Sequence, residues 1–189
     1  MKKHVIGILF VVCATFISYM TIAKAEEFHW GFKPSRNAEP VEIGEPLEGL
    51  LENYGAIYKG DPAKKVVYLT FDNGYENGFT ESILNTLRAE EAPATFFLTG
   101  HYLTSATDLV KTMIKDGHTI GNHSDGHPNM AKLTANGMKE EWFRFDEKLY
   151  ELTGIDRTYY ARPPEGIFNE QVLKVGNEVG YRHIFWSIA

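Results

Sequence analysis

The chain is 189 residues long, 43% hydrophobic and 13% aromatic, with a single cysteine, which excludes a disordered, collagen-like or disulfide-stapled chain. Its 25 acidic and 19 basic residues give a net charge of -6, and this excludes a nucleic-acid partner, whose phosphates are held by a basic surface releasing counterions. That length suits one sizeable core.

The first 25 residues carry Lys2 and Lys3, an apolar run from Val5 to Ile22, and Ala23-Lys24-Ala25. A charged start, an apolar centre and a small-x-small site predict a secretory signal peptide cleaved after Ala25. A permanent membrane anchor is the alternative, because the run approaches the ~20 residues that span a bilayer; Thr15, Ser18 and Thr21 weaken it. Cys13 follows Val12, where a lipoprotein signal wants a small residue, so no lipid anchor is expected. The exported protein is then acidic, free of cysteine and without a stable membrane span.

Residues 26–64 are polar, with Pro34, Pro40, Pro46 and Pro62 and no clean period; they predict an extended leader lying on the surface. From 65 to 189 the texture changes to one domain of short apolar runs alternating with helical patterns. The run 66–71 (VVYLTF) predicts a buried strand stopped by Asp72-Asn73-Gly74. Thr80 is placed to cap a helix bearing Ile83, Leu84 and Leu87. Strands follow at 94–98, 119–122, 159–162 and 183–187, with intervening helices around 109–114, 140–152 and 172–179. Gly117 and Gly180 end two of those helices. Alternating strands and helices imply right-handed crossovers and a parallel α/β sheet, either open or part of a (β/α) barrel. A closed barrel ordinarily needs eight strands and ~250 residues, so a barrel here is incomplete, and the apolar end at Ile188-Ala189 reads as a truncation.

Three polar clusters follow strands: Asp72-Asn73-Gly74, His123-Ser124-Asp125-Gly126-His127 and Arg162-Pro163-Pro164-Glu165-Gly166. In parallel α/β architectures that is the catalytic face. A helical turn or a tight loop brings His123 and His127 to one side, where two neutral imidazoles can hold a divalent metal such as zinc; alternatively both bond to nearby backbone. Asp72 reads as a general base or as a turn former. Arg162, fixed by Pro163 and Pro164, reads as its cationic partner, as a substrate clamp or as a structural ion pair.

The stretches VYLTFDNGYE, TFFLTG, GHTIGNHSDGHPNM, RPPEG and FWSIA resemble, in order, the motifs of the polysaccharide deacetylases with a NodB-homology domain. The resemblance covers about residues 65–189, and the tyrosine and glutamate after Asp72-Asn73-Gly74 look most like the branch acting on muramic acid of peptidoglycan. It implies an incomplete barrel of the NodB type, with Asp72 as base, His123 and His127 as metal ligands, Arg162 orienting Asp72, and Trp186 walling the acetyl pocket. Backbone N–H groups around Gly74 and Tyr75 would hold the oxyanion, and Pro163 would contact the substrate. It further implies hydrolysis of N-acetyl groups from a peptidoglycan glycan strand at the cell wall or spore envelope, in the pathway to muramic δ-lactam of the spore cortex.

Two departures accompany it. Asn73 stands where most of the family has an aspartate ligand; its amide oxygen can coordinate, without the charge, and Asn here is also what the muramic-acid branch looks like. The family's Leu-x-His, source of the general acid, is absent from these 189 residues. His183 is not its substitute and reads as a partly exposed strand residue away from the site. The competing expectation is a non-catalytic wall-binding protein or an inactive fragment.

Overall fold

The computed structural model describes residues 26–35 and 39–189; the signal peptide and Cys13 lie outside the described residues. Strands β2 (Leu69–Asn73), β3 (Ala94–Leu98), β4 (Thr119–Asn122), β5 (Tyr160–Ala161) and β7 (Arg182–His183) form a five-stranded sheet in that order. Every neighbouring pair is parallel. Because the spatial order follows the chain order, each right-handed crossover steps in the same sense, and the sheet winds as a barrel wall rather than as a doubly wound sheet.

The crossovers run through helices α2 (Thr80–Ala89), α3 (Gly100–Ser105), α4 (Thr107–Lys115), α5 (Ala135–Thr153) and α6 (Glu170–Glu178). Their apolar stripes bury Leu84, Leu87, Val110, Met113, Phe145 and Leu149 in one cluster with Phe96 and Leu98 of β3. Side-chain alternation along β3 then sends Phe97 to the opposite, inner face, where the Arg162 guanidinium lies 4.2 Å from its ring centroid. Gly121 of β4 is required there, since a Cβ would sit 2.4 Å from the Phe97 ring.

The register decides where the chemistry falls. Asn73 pairs with Leu98, Leu98 with Asn122, Asn122 with Ala161 and Ala161 with His183. The residues just beyond this row, His123 and Arg162 among them, therefore emerge at the same carboxyl end of the sheet as Asp72 and Asn73.

The five strands expected from sequence are present; those at 94–98 and 119–122 keep their expected ends, and the other three have shifted ends. The first begins at Leu69 rather than at 66, because β3 starts at Ala94 and pairs no further back; Val66, Val67 and Tyr68 are left 56%, 74% and 71% exposed. Thr80 does not cap α2: the N-cap is Phe79, without a side-chain bond, and the Thr80 hydroxyl instead lies 3.0 Å from the hydroxyl of buried Tyr102.

The leader is more than a surface wrapping. It contains helix α1 (Leu47–Asn53) and strand β1 (Phe28–His29), which pairs antiparallel with β6 (Ile167–Phe168). Leu51 and Val41 enter a second core cluster with Met138, Trp142, Phe168, Leu173 and Phe185. Ile57 bridges to the outer side of β7, donating to the His183 carbonyl at 2.9 Å and accepting from Phe185 N–H at 2.7 Å. Among the described residues, β2 has no partner on its outer side. None of the described helices is long and apolar enough to cross a membrane.

Candidate active site

Asp72 and Arg162 come from opposite sides of the sheet and meet across its inner face. Thr70 and Asp72, two apart on β2, share one face of the strand, and Arg162 bonds to both: Nη1 to Asp72 Oδ1 at 2.7 Å and Nη2 to Thr70 Oγ1 at 3.0 Å. Nε donates to the Ile184 carbonyl at 3.1 Å and Nη2 to that of Phe185 at 3.3 Å. Arg162 is 3% exposed and Asp72 37%, so a buried cation making four hydrogen bonds holds Oδ1 of a carboxylate that is itself partly open to solvent. Burial pulls the Arg162 pKa down, and the Asp72 charge opposes this.

The two histidines sit on a tight loop, which settles the choice between loop and helical turn. Ser124 and His127 have positive φ, 66° and 56°, conformations that L-residues adopt only when the surroundings impose them. The imposing contacts are short: Ser124 N–H donates to Asn122 Oδ1 at 2.9 Å, and His127 N–H to Ser124 Oγ at 2.9 Å. From α5, Glu141 accepts the Gly126 N–H at 2.7 Å, and Lys148 and Arg144 pair with Asp125. Asn122 is anchored in turn to the Trp142 carbonyl at 3.0 Å and the Tyr181 hydroxyl at 3.1 Å, and Tyr181 donates to Asp146. Burial dominates the upward push on the Asp146 pKa, partly offset by the Tyr181 and Thr158 hydrogen bonds.

The rings of His123 and His127 lie 5.0 Å apart at 70°. His123 Nδ1 is 2.8 Å from the Arg162 carbonyl, an acceptor only, so Nδ1 carries the proton and Nε2 presents a lone pair. Burial lowers the His123 pKa, with Asp72 opposing, and this favours the neutral ligand form. Asn73 Oδ1 is buried and has no hydrogen-bond partner. An orphaned amide oxygen, a tautomer-locked histidine and a second histidine make a donor set that suits a divalent cation. The described residues contain no group of three His, Cys, Asp or Glu placed for a metal; Asn73, an amide, stands outside that set.

The remaining sequence candidates fall as follows. Gly74 presents its carbonyl to Thr99 Oγ1 at 3.2 Å, and Tyr75 is 79% exposed. Pro163 accepts the Gly166 N–H at 3.1 Å, closing the turn after Arg162. Trp186 lies 5.3 Å from the Arg162 guanidinium. His183 is corrected: it is 1% exposed, not partly exposed, because α6 packs over it at Gly176, and burial lowers its pKa to about 4.

Sequence reasoning missed the supports. Trp30 of the leader stacks on Phe185 at 4.5 Å and donates its indole N–H to the Trp186 carbonyl at 3.0 Å. Its backbone N–H donates to Gly166 at 2.9 Å, and Glu27 accepts from Asn129 at 3.1 Å. The leader thus braces both the Arg162 turn and the loop after His127. Asn122 was detectable as a polar residue closing an apolar strand; Trp30 and Glu141 carry no such signal.

Together these features define a class: a singly wound parallel β/α wall with a carboxylate–arginine pair and two histidines crowded at the carboxyl ends of its strands. Residues 59–184 match the family described as polysaccharide deacetylase, and the chain belongs to that family. It is 48% identical to an uncharacterized 30.6 kDa protein of Geobacillus stearothermophilus, over 96% of this chain and 70% of the relative. It is 44% identical to peptidoglycan-N-acetylmuramic acid deacetylase PdaA of Bacillus subtilis, over 87% of this chain and 62% of that protein. The solved structure of PdaA, a family 4 carbohydrate esterase, superimposes with a TM-score of 0.84, covering 86% of this chain and 70% of that one. A family 4 carbohydrate esterase from Bacillus anthracis, 41% identical, gives 0.78 over 86% and 73%.

Proposed function

We propose that this chain forms the catalytic wall of a hydrolase that removes N-acetyl groups from peptidoglycan glycan strands, with N-acetylmuramic acid as the sugar acted on. The single observation that carries the reading is the Asp72–Arg162 pair at 2.7 Å, set beside His123, whose free nitrogen is fixed by its bond to the Arg162 carbonyl. The family membership and the 44% identity to PdaA support the substrate. Residues 1–25 support export to the cell wall or spore envelope, with 26–64 as leader and 65–189 as the deacetylase domain.

His123, His127 and Asn73 would hold a divalent metal, which when bound acts as a Lewis acid on the acetamide carbonyl. Arg162 occupies Asp72 Oδ1, so Oδ2 is the oxygen that takes the proton from the attacking water. Trp186 and the Pro163 turn wall the acetyl pocket. The N–H groups of Gly74 and Tyr75 would stabilise the tetrahedral oxyanion. In the family pattern a Leu-x-His protonates the departing amine, and these 189 residues do not contain it. His183 does not replace it, being buried with Nε2 committed to the Val172 carbonyl at 3.1 Å.

The test is acetate release from purified glycan strands. Asp72→Asn is expected to lower the rate by about 10²–10⁴-fold, the usual contribution of a general base, with an unchanged melting temperature. An unchanged rate would remove Asp72 from the mechanism.

A further inference from the structure

Tyr75 is a large ring on the rim of this site that the fold itself does not explain. It is 79% exposed and joins neither core cluster, yet its ring is not loose: it packs against the His101 imidazole with centroids 4.7 Å apart at 50°. The backbone beneath it is pinned. Glu76, next in sequence, accepts the Gly78 N–H at 2.6 Å and the hydroxyl of Tyr102 at 2.6 Å, and Tyr102 is wholly buried. Hydrogen bonds from Thr80 and Tyr102 hold the Glu76 pKa down to about 2, so the clamp stays charged across the physiological range.

The backbone leading into His101 is placed as firmly. His101 follows Gly100, whose N–H reaches the carbonyls of Ser124 and Asp125 at 3.2 and 3.1 Å. A Cβ at Gly100 would overlap the Asp125 carboxylate at 1.8 Å, so that close approach to the histidine loop requires glycine. The Tyr75–His101 pair therefore bridges the Asp72 cluster and the His123–His127 loop, with a broad aromatic surface left in solvent.

We propose that Tyr75, propped by His101, is a stacking subsite for the pyranose ring next to the acetylated sugar at Asp72. A hexopyranose offers a flat array of C–H groups on one face and hydroxyls at its edge, which suits an aromatic ring with a polar rim. The inference rests on the reading of the substrate as an N-acetylated glycan, and it adds the place where the strand lies.

Binding rather than turnover tests it, using a soluble N-acetylglucosamine tetramer titrated against the 189-residue chain and followed by NMR. Tyr75→Ala is expected to weaken binding about fivefold, the scale of one aromatic contact. Tyr75→Phe should stay within about twofold of the wild type, and His101→Ala should fall between the two. Equal binding by Tyr75→Ala and wild type, loss in Tyr75→Phe as large as in Tyr75→Ala, or no binding by the wild type would each overturn the subsite. Tyr75-dependent binding of the tetramer, together with no acetate release from purified peptidoglycan glycan strands, would defeat the hydrolase reading and leave the subsite standing.

Discussion

The two sides of the active site are built to different standards. On the Arg162 side, the cation is 3% exposed and four hydrogen bonds fix its guanidinium. The histidine loop next to it is held from α5 and from Asn122, and the leader covers both turns through Trp30 and Glu27. On the Asp72 side, β2 is an edge strand among the described residues: Leu69 is 40% exposed and Val67 74%, and Asn73 Oδ1 has no partner. The difference is one of bracing: one side is fixed by buried hydrogen bonds and by packing from α5 and the leader, while the other carries Asp72 on a strand open along one edge. The carboxylate's position depends on the cation from across the sheet more than on its own strand.

Three perturbations would sharpen or break that contrast. The largest is acid. His183 lies under α6 on the braced side with Nδ1 unsatisfied, and its pKa is lowered from 6.5 to about 4 by burial. The folded form binds fewer protons than the unfolded one, so this contribution is complete above pH 6.5 and is lost as pH falls towards 4. Urea titrations should show His183→Gln losing about 3 kcal/mol less stability than wild type across that interval. His118 and His123, also lowered by burial, keep a residual slope in both.

Next comes Trp30→Ala, which removes the stack on Phe185 and the bond to the Trp186 carbonyl. Unfolding free energy should drop by about 2 kcal/mol, and Trp30→Phe, keeping the stack, should lose about 1 kcal/mol. A leader that merely lies on the surface would leave both values unmoved. The smallest effect belongs to the open side: Val67→Thr should change stability by less than about 0.5 kcal/mol, as expected for an exposed position. A loss comparable to that of Trp30→Ala would mean β2 is no open edge in solution.

Much of the architecture was legible because strands and helices declare themselves by period. VVYLTF, ATFFL and the apolar stripe of Ile83, Leu84 and Leu87 identify a parallel β/α alternation without any knowledge of contacts. Their ends were less so: β2 starts three residues late because strand length is set by its partner β3, which a single segment cannot reveal. Thr80 had the chemistry of a cap, but its hydroxyl lies instead against that of Tyr102, a residue 22 positions away. The leader escaped because its short strand and helix gain stability from α6 and β6 rather than from their own pattern.

The sequence by itself determined the alternation of elements, the three polar clusters and their order, because local periodicity and residue chemistry are properties of the chain. Only the tertiary structure decided that Asp72 and Arg162, 90 positions apart, form one ion pair. It also decided that His123 is locked in one tautomer by a carbonyl and that Asn73 keeps an unpaired oxygen. Those outcomes follow from sheet register and burial, which set distance and solvation, and neither quantity is written in any one segment.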